Sequence, residues 1–301
     1  MTGYIDQQGP APAGHRLIHG VRAWLAWHAE MGMTDLDIEE SVAGAPARLR
    51  HSAPSLPAVV SPAAAHPRSA AAASPVVAHP RPAPSPPAGL RGDREAIGNA
   101  RRIAAACRTL DELRQALEQF EGCALKDTAT RLCFADGAAD ARIMVIGEAP
   151  GSEEDRQGLP FVGQSGQMLD RMLAAIGLDR GNVWITNVIY WRPPGNRAPT
   201  TGEIATCQPF LERQIEILRP AIMLFVGGIA SRALLGTNEG VTKLRGRRFA
   251  YRGAGLAEPI PALVTFHPAY LLRSPLNKRF AWRDLLTLNA WLAELGNPHR
   301  R

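Results

Sequence analysis

Four side chains stand out by type and setting. Glu148 lies in the run GEAPGSEEDRQGLPFVG (147–163), where glycines and prolines bracket a cluster of acids. A carboxylate so placed can position a water or act as a general base. Phe161, in the PFVG of the same run, can present a flat face to a ring. Asn187, in TNV, carries one side-chain donor group and one acceptor, enough to read the edge of a heterocycle. His267, in HPAYLLR, is the histidine of the set. The acids Glu153, Glu154 and Asp155 also suit the positive end of a helix dipole, so their number alone does not define a site.

These residues need a scaffold that brings them together. Four apolar runs read as buried strands: ARIMVIG (141–147), NVWITNVI (182–189), AIMLFVGG (221–228) and PALVTFHP (261–268). Helical patterns separate them at 164–177, 202–217 and 229–235. Another helix is expected at 278–295, and IAAACRTLDELRQALEQF (103–120) reads as one helix before the first strand. Buried strands alternating with helices predict an α/β fold with a parallel sheet covered on both faces. Ligands bind such sheets beyond the carboxyl ends of the strands. The residues found there are GEAPG, NVIYWRPPGNR, GGIAS and HPAYLLR, so Glu148, Asn187 and His267 are expected at one crevice. RPPGNR is rigid and basic, which suits Arg192 and Arg197 to a backbone phosphate. Residues 240–257 hold Lys243, Arg245, Arg247, Arg248 and Arg252 with no acid, and read as a basic loop.

The three motifs, in this order, resemble the uracil-DNA glycosylase superfamily and within it the family 4 enzymes. The resemblance spans roughly residues 120 to 290. It implies a three-layer αβα fold around a central, mainly parallel four-stranded sheet. It implies a monofunctional glycosylase that flips uracil out of DNA and hydrolyses its N-glycosidic bond. Glu148 and His267 would be catalytic, the histidine stabilising the departing uracil oxygen. Ala149, Glu154, Phe161 and Asn187 would surround the base: Glu154 beside its C5 edge, Phe161 stacked on it, Asn187 on its Watson–Crick edge. AYLLRSP matches the loop that enters the duplex, with Leu271, Leu272 and Arg273 as wedge candidates and Ser274 and Pro275 near a phosphate. Arg192, Arg197, Arg245 and Arg247 complete the expected DNA contacts. The set contains no lysine that could form a Schiff base, so no lyase step is expected. The basic loop has no histidine, unlike the covalently trapped branch of the superfamily.

Family 4 enzymes usually hold a [4Fe–4S] cluster on four cysteines. This chain has Phe120 and Cys123 at the first pair of positions, then Trp191 and Cys207 at the second. Fe–S sites need thiolates in a defined geometry. The expectation is therefore no cofactor and no metal, with Phe120 and Trp191 packing where the cluster would sit. A cluster completed by Cys107 or Cys133 is the alternative, although Cys133 reads as a core residue.

Composition bounds the rest. Hydrophobic residues make up 46% of the 301, enough for a core, and the formal charge of +6 weakly favours a polyanionic partner. No run of about 18 apolar residues is present, and no secretory signal pattern opens the chain. Four scattered cysteines point to a reducing, cytoplasmic compartment. Three zones follow: a short helical segment at 1–40, an Ala/Pro-rich linker at 41–92, and a glycosylase domain at 93–301. The linker holds 11 of the 25 prolines and no acid, so disorder is expected. The N-terminal helix could recruit a repair or replication protein, and a monomer is expected. The other functional readings are a non-catalytic module that binds uracil-DNA or a repair partner, and a small-molecule α/β hydrolase, for which no salt-dependent DNA binding is expected.

Overall fold

The computed structural model describes residues 88–296. The N-terminal helical segment and nearly all of the linker lie outside the described residues. Helix α1 (Ala88–Ala106) starts directly after Pro87, five residues before the expected boundary at 93. The helix expected at 103–120 is two. α1 stops at Ala106, and α2 runs Leu110–Gln119. The break is set by a capping box: Thr109 Oγ1 accepts the Glu112 N–H at 3.1 Å, and the Glu112 carboxylate accepts the Thr109 N–H at 3.3 Å. A cap of this kind stabilises a helix start by about 1 kcal/mol. The TLDE spelling of that box was the signal available in the sequence.

A 3₁₀ turn (Ala124–Asp127) leads to β1 (Asp136–Gly137) and β2 (Ile143–Gly147). Helices α3 (Ser152–Gln157) and α4 (Gln164–Ala174) follow, then β3 (Trp184–Asn187), α5 (Thr201–Leu218) and β4 (Ile222–Val226). The remainder is α6 (Gly228–Leu235), α7 (Val241–Leu244), β5 (Arg248–Tyr251), β6 (Ile260–Thr265), α8 (Pro268–Arg273) and α9 (Lys278–Glu294).

The six-stranded sheet has the order β1-β3-β2-β4-β6-β5. β3, β2, β4 and β6 are parallel, as expected; β1 and β5 flank them antiparallel. The sheet is thus mixed at its edges. β1 is only two residues long, and β5 lies within the arginine-rich stretch read as a loop. Charged residues on an edge strand discourage pairing with another chain.

Alternation along the strands fills two cores. Met144, Ile146, Met223, Phe225 and Val264 face Leu113 and Leu117 of α2 and Phe210 and Ile215 of α5. Ile143, Val145, Ile222, Leu224 and Leu263 face Leu169 and Leu173 of α4 and Leu288 and Leu292 of α9. Helices therefore cover both faces of the sheet. The chain passes from β2 to β3 on one side and then to β4 on the other, so the direction of winding reverses at β2. Open α/β sheets bind ligands beyond the carboxyl ends of the strands at such a reversal. No helix among the described residues is long and apolar enough to cross a membrane.

Candidate active site

β2 and β3 end together: Gly147 and Asn187 are register partners in the parallel ladder. Gly147 must lack a side chain. A Cβ there would stand 2.4 Å from Cζ of Phe161 and 2.5 Å from Oδ1 of Asn187. The glycine thus lets an aromatic ring and an amide close on one point of the backbone. Asn187 is 1% exposed, and its Oδ1 has no hydrogen-bond partner among the described residues. An orphaned buried acceptor costs about 1–3 kcal/mol, and here it sits at the mouth of the sheet.

Phe161 reaches this point from the turn between α3 and α4. Its backbone is left-handed, φ 56°, a conformation that a bulky residue adopts only when its surroundings impose it. Glu154 supplies part of that constraint. Its Oε1 accepts the N–H groups of Val162 at 3.0 Å and Gly163 at 2.9 Å, and Oε2 accepts Gly151 N–H at 3.1 Å. The carboxylate expected beside the base's C5 edge accepts backbone N–H groups, joining the GEAPG turn to the PFVG turn. Asp155 does similar work on the other side, accepting from Thr130 at 2.7 Å and Arg131 at 3.2 Å.

His267 follows β6 and caps α8. Its Nδ1 accepts the Ala269 N–H at 3.2 Å, so Nε2 carries the ring proton. Burial and the charge of Arg273 lower its pKa to about 4. The imidazole is therefore neutral and a donor through Nε2 at physiological pH. Its ring lies 5.7 Å from that of Phe161, and the chain leaving β4 at Gly227 passes behind it. Glu148 leaves β2 half-buried, with Ala149 half-buried and Pro150 buried beside it. Burial raises its pKa above the usual carboxylate value, opposed by the charge of Arg232 on α6. The site thus pairs a carboxyl group shifted up with an imidazole shifted down, a combination that enzymes use for acid–base work.

Comparison with known proteins places the chain in a family. The profile of the Uracil DNA glycosylase superfamily matches residues 134–286. A type-4 uracil-DNA glycosylase of Thermotoga maritima is 36% identical over 183 residues, covering 60% of this chain and 93% of the relative. The chain belongs to the type-4 uracil-DNA glycosylase family. Type-4 enzymes of Pyrobaculum aerophilum (35% over 180 residues, 58% of this chain and 91% of the relative) and Sulfurisphaera tokodaii (37% over 181 residues, 58% and 81%) are also similar.

The residues expected to touch DNA separate into two groups. Leu272 and Arg273, at the end of α8, are exposed, Ser274 is half-buried, and Leu271 is fully buried in the core. Leu271 is therefore removed from the wedge candidates. Leu276, which the sequence reading passed over, is 78% exposed in the next turn; an apolar residue inside the basic run RSPLNKR was its signal. The arginines are largely engaged within the protein. Arg245 is turned inward, bonded to Asp284 at 2.6 Å and to the Phe280 carbonyl. This corrects its expected place on the DNA surface: Asp284 is 1% exposed, and a buried carboxylate needs a cationic partner. Arg197 grips Glu203 through two hydrogen bonds of 2.9 and 2.6 Å at the start of α5. Arg247 lies 3.3 Å from Glu239 on the surface, and half-buried Arg192 bonds Asn196 at 2.8 Å.

The positions named for a cluster all lie inside the protein. Phe120, Cys123, Trp191 and Cys207 are buried in one core. The Cys207 thiol hydrogen-bonds Cys123, which lowers the Cys123 pKa and raises that of Cys207. Phe120 packs edge-on against Phe210 at 5.1 Å, and Trp191 edge-on against Tyr190 at 6.4 Å. Cys133 bonds the Glu154 carbonyl at 3.0 Å, and Cys107 bonds that of Ile103 at 3.4 Å. Among the described residues no group of three or more His, Cys, Asp or Glu is arranged to hold a metal. These residues do not fit a four-thiolate cluster.

Proposed function

We propose that this chain is a monofunctional uracil-DNA glycosylase of base excision repair, removing uracil and leaving an abasic site. The observation that carries the reading is the unpartnered buried Oδ1 of Asn187 beside the Phe161 ring and the neutral His267. Uracil has an N–H at position 3 that would satisfy this acceptor; cytosine has a lone pair there and would not. Rejection by an unpaired buried polar group is a strong form of selectivity.

Flipping the base out of a duplex costs a few kcal/mol. Stacking on Phe161 returns about 1–3 kcal/mol of that. The C1′–N1 bond then breaks, and its electron pair leaves with the uracil ring. Nε2–H of His267 donates to the uracil oxygen on which negative charge builds. Water adds at C1′, and its proton passes to Glu148. A neutral histidine suits this role, because it can donate a hydrogen bond without the cost of burying a charge.

The same reading holds that the chain works without an iron–sulfur cluster. Its support is the replacement of two thiol positions by Phe120 and Trp191, both packed on aromatic neighbours. The test is uracil release from a labelled uracil-containing oligonucleotide, with an iron determination and a visible spectrum on the same preparation. Release of uracil by colourless protein is expected. Absence of release from every uracil substrate would overturn the glycosylase reading. A brown protein with about four irons per chain would overturn the cofactor reading alone.

A further inference from the structure

Phe161 holds a strained backbone conformation, and one peptide unit explains how. The carbonyl of Phe161 and the N–H of Val162 are the two ends of the same peptide plane. The N–H end is held by Glu154 Oε1 at 3.0 Å. The carbonyl end is held by Arg180, whose Nη2 donates to it and whose Nη1 reaches the Pro160 carbonyl at 3.3 Å. We propose that Arg180 is a positioning residue for base stacking, clamping this peptide against Glu154 so that Phe161 keeps its left-handed backbone and its ring keeps its place beside Asn187.

Arg180 lies in the connection between α4 and β3, outside every motif that marked the site. Its guanidinium is anchored on both sides: Nε bonds Asp170 of α4 at 2.9 Å, and Nη1 bonds Asp136 of β1. The flat fork of an arginine can serve two carboxylates and two carbonyls at once; a lysine, a point charge, cannot. The side chain is 27% exposed, so its hydrogen bonds are partly shielded from water. Without it, the carboxylates of Asp136 and Asp170 would face the Phe161 carbonyl with no cation between them, and the turn would be pushed away from that corner. Gly166 completes the clamp. A Cβ there would fall 1.6 Å from the Phe161 oxygen, so the first turn of α4 can come close to the carbonyl only because that residue is glycine. The left-handed conformation is thus imposed from β1, α3 and α4 together.

The inference rests on the reading of Phe161 as the stacking residue. The experiment is a double-mutant cycle on the full chain, combining Arg180→Met with Phe161→Ala. Single-turnover uracil release and inhibition by free uracil are read for each variant, together with the melting temperature. Arg180→Met should lower the rate and weaken free-uracil binding by about 10- to 100-fold, the scale of a misplaced contact or a lost stack. In the Phe161→Ala background the same change should have almost no further effect. Arg180→Lys should fall between wild type and Arg180→Met, and it serves in the same cycle if the methionine variant does not fold. Equal losses in both backgrounds, or a lower melting temperature with unchanged rate and uracil binding, would show a purely structural residue and overturn the proposal. So would wild-type activity in Phe161→Ala. Failure of the glycosylase reading looks different: the wild-type chain itself would release no uracil.

Discussion

The rings of Phe161 and His267 lie 5.7 Å apart between centroids and 31° from parallel. One enters from the turn between α3 and α4 and the other from the end of β6, so the stacking surface and the leaving-group donor share a wall. His267→Ala should therefore lower single-turnover uracil release by about 10²–10³, the usual cost of losing one oxyanion donor. Affinity for uracil-DNA should stay within a few-fold, because the charge develops only in the transition state. A wild-type rate in this variant would return His267 to a structural role. Stability gives a second readout. The folded-state pKa of about 4 lies below the ordinary value near 6.5, so between the two the unfolded chain binds more protons. The stability contributed by the neutral ring is complete above about pH 6.5 and declines as pH falls toward 4. Between pH 7 and 5 the wild type should lose about 1–2 kcal/mol relative to His267→Gln, allowing for solvent screening. Denaturant unfolding at the two pH values measures it.

Glu148 should set the acid limb of the rate. Burial raises its pKa, and the reaction needs the carboxylate. Activity should be present above that raised value and fall as pH drops through it, at a pH where an exposed carboxylate would still be ionised. His267, neutral down to about pH 4, adds no limb in that range. A pH series of single-turnover rates for wild type and Glu148→Gln tests this. The variant should be slower, and its profile flat.

Asn187→Leu should separate stability from function. Removing the unpartnered buried oxygen should leave the fold about 1 kcal/mol more stable, while uracil release falls by at least about 10²-fold for want of the edge contact. Thermal melting and single-turnover cleavage decide it. A destabilised variant would mean that the amide has a structural partner essential to the fold.

Phe120→Ala should be among the costliest single changes in the chain. The ring is 1% exposed and packs on Phe210. Truncating a buried phenylalanine typically removes about 3–5 kcal/mol. The measurement is chemical denaturation, in parallel with wild type incubated with an iron chelator, which should unfold unchanged.

Leu272 and Leu276 are 38% and 78% exposed on a turn whose flanking charges, Arg273, Lys278 and Arg279, are all basic. The double change Leu272→Ala, Leu276→Ala should slow release from duplex DNA by about 10-fold and leave single-stranded substrate nearly unaffected, because only a duplex charges an unstacking cost. Equal slowing on both substrates would remove the pair from base flipping.

Much of this was legible in the linear chain. The four parallel strands are short apolar runs bounded by Gly, Asn and Pro, and such runs report burial on both faces whatever their neighbours are. Because parallel strands present their carboxyl ends together, the linear chain puts Glu148, Asn187 and His267 on one edge of the sheet. Tertiary structure alone decided what the charged residues do. Glu154 holds backbone N–H groups eight and nine residues away. Arg245 is taken inward by Asp284, 39 residues on. Arg180 reaches a carbonyl 19 residues behind it. The physical reason is the same in each case. Hydrophobic periodicity is a property of one element and survives in the sequence, whereas the partner of an ion or a strained peptide is chosen by which elements the fold brings side by side.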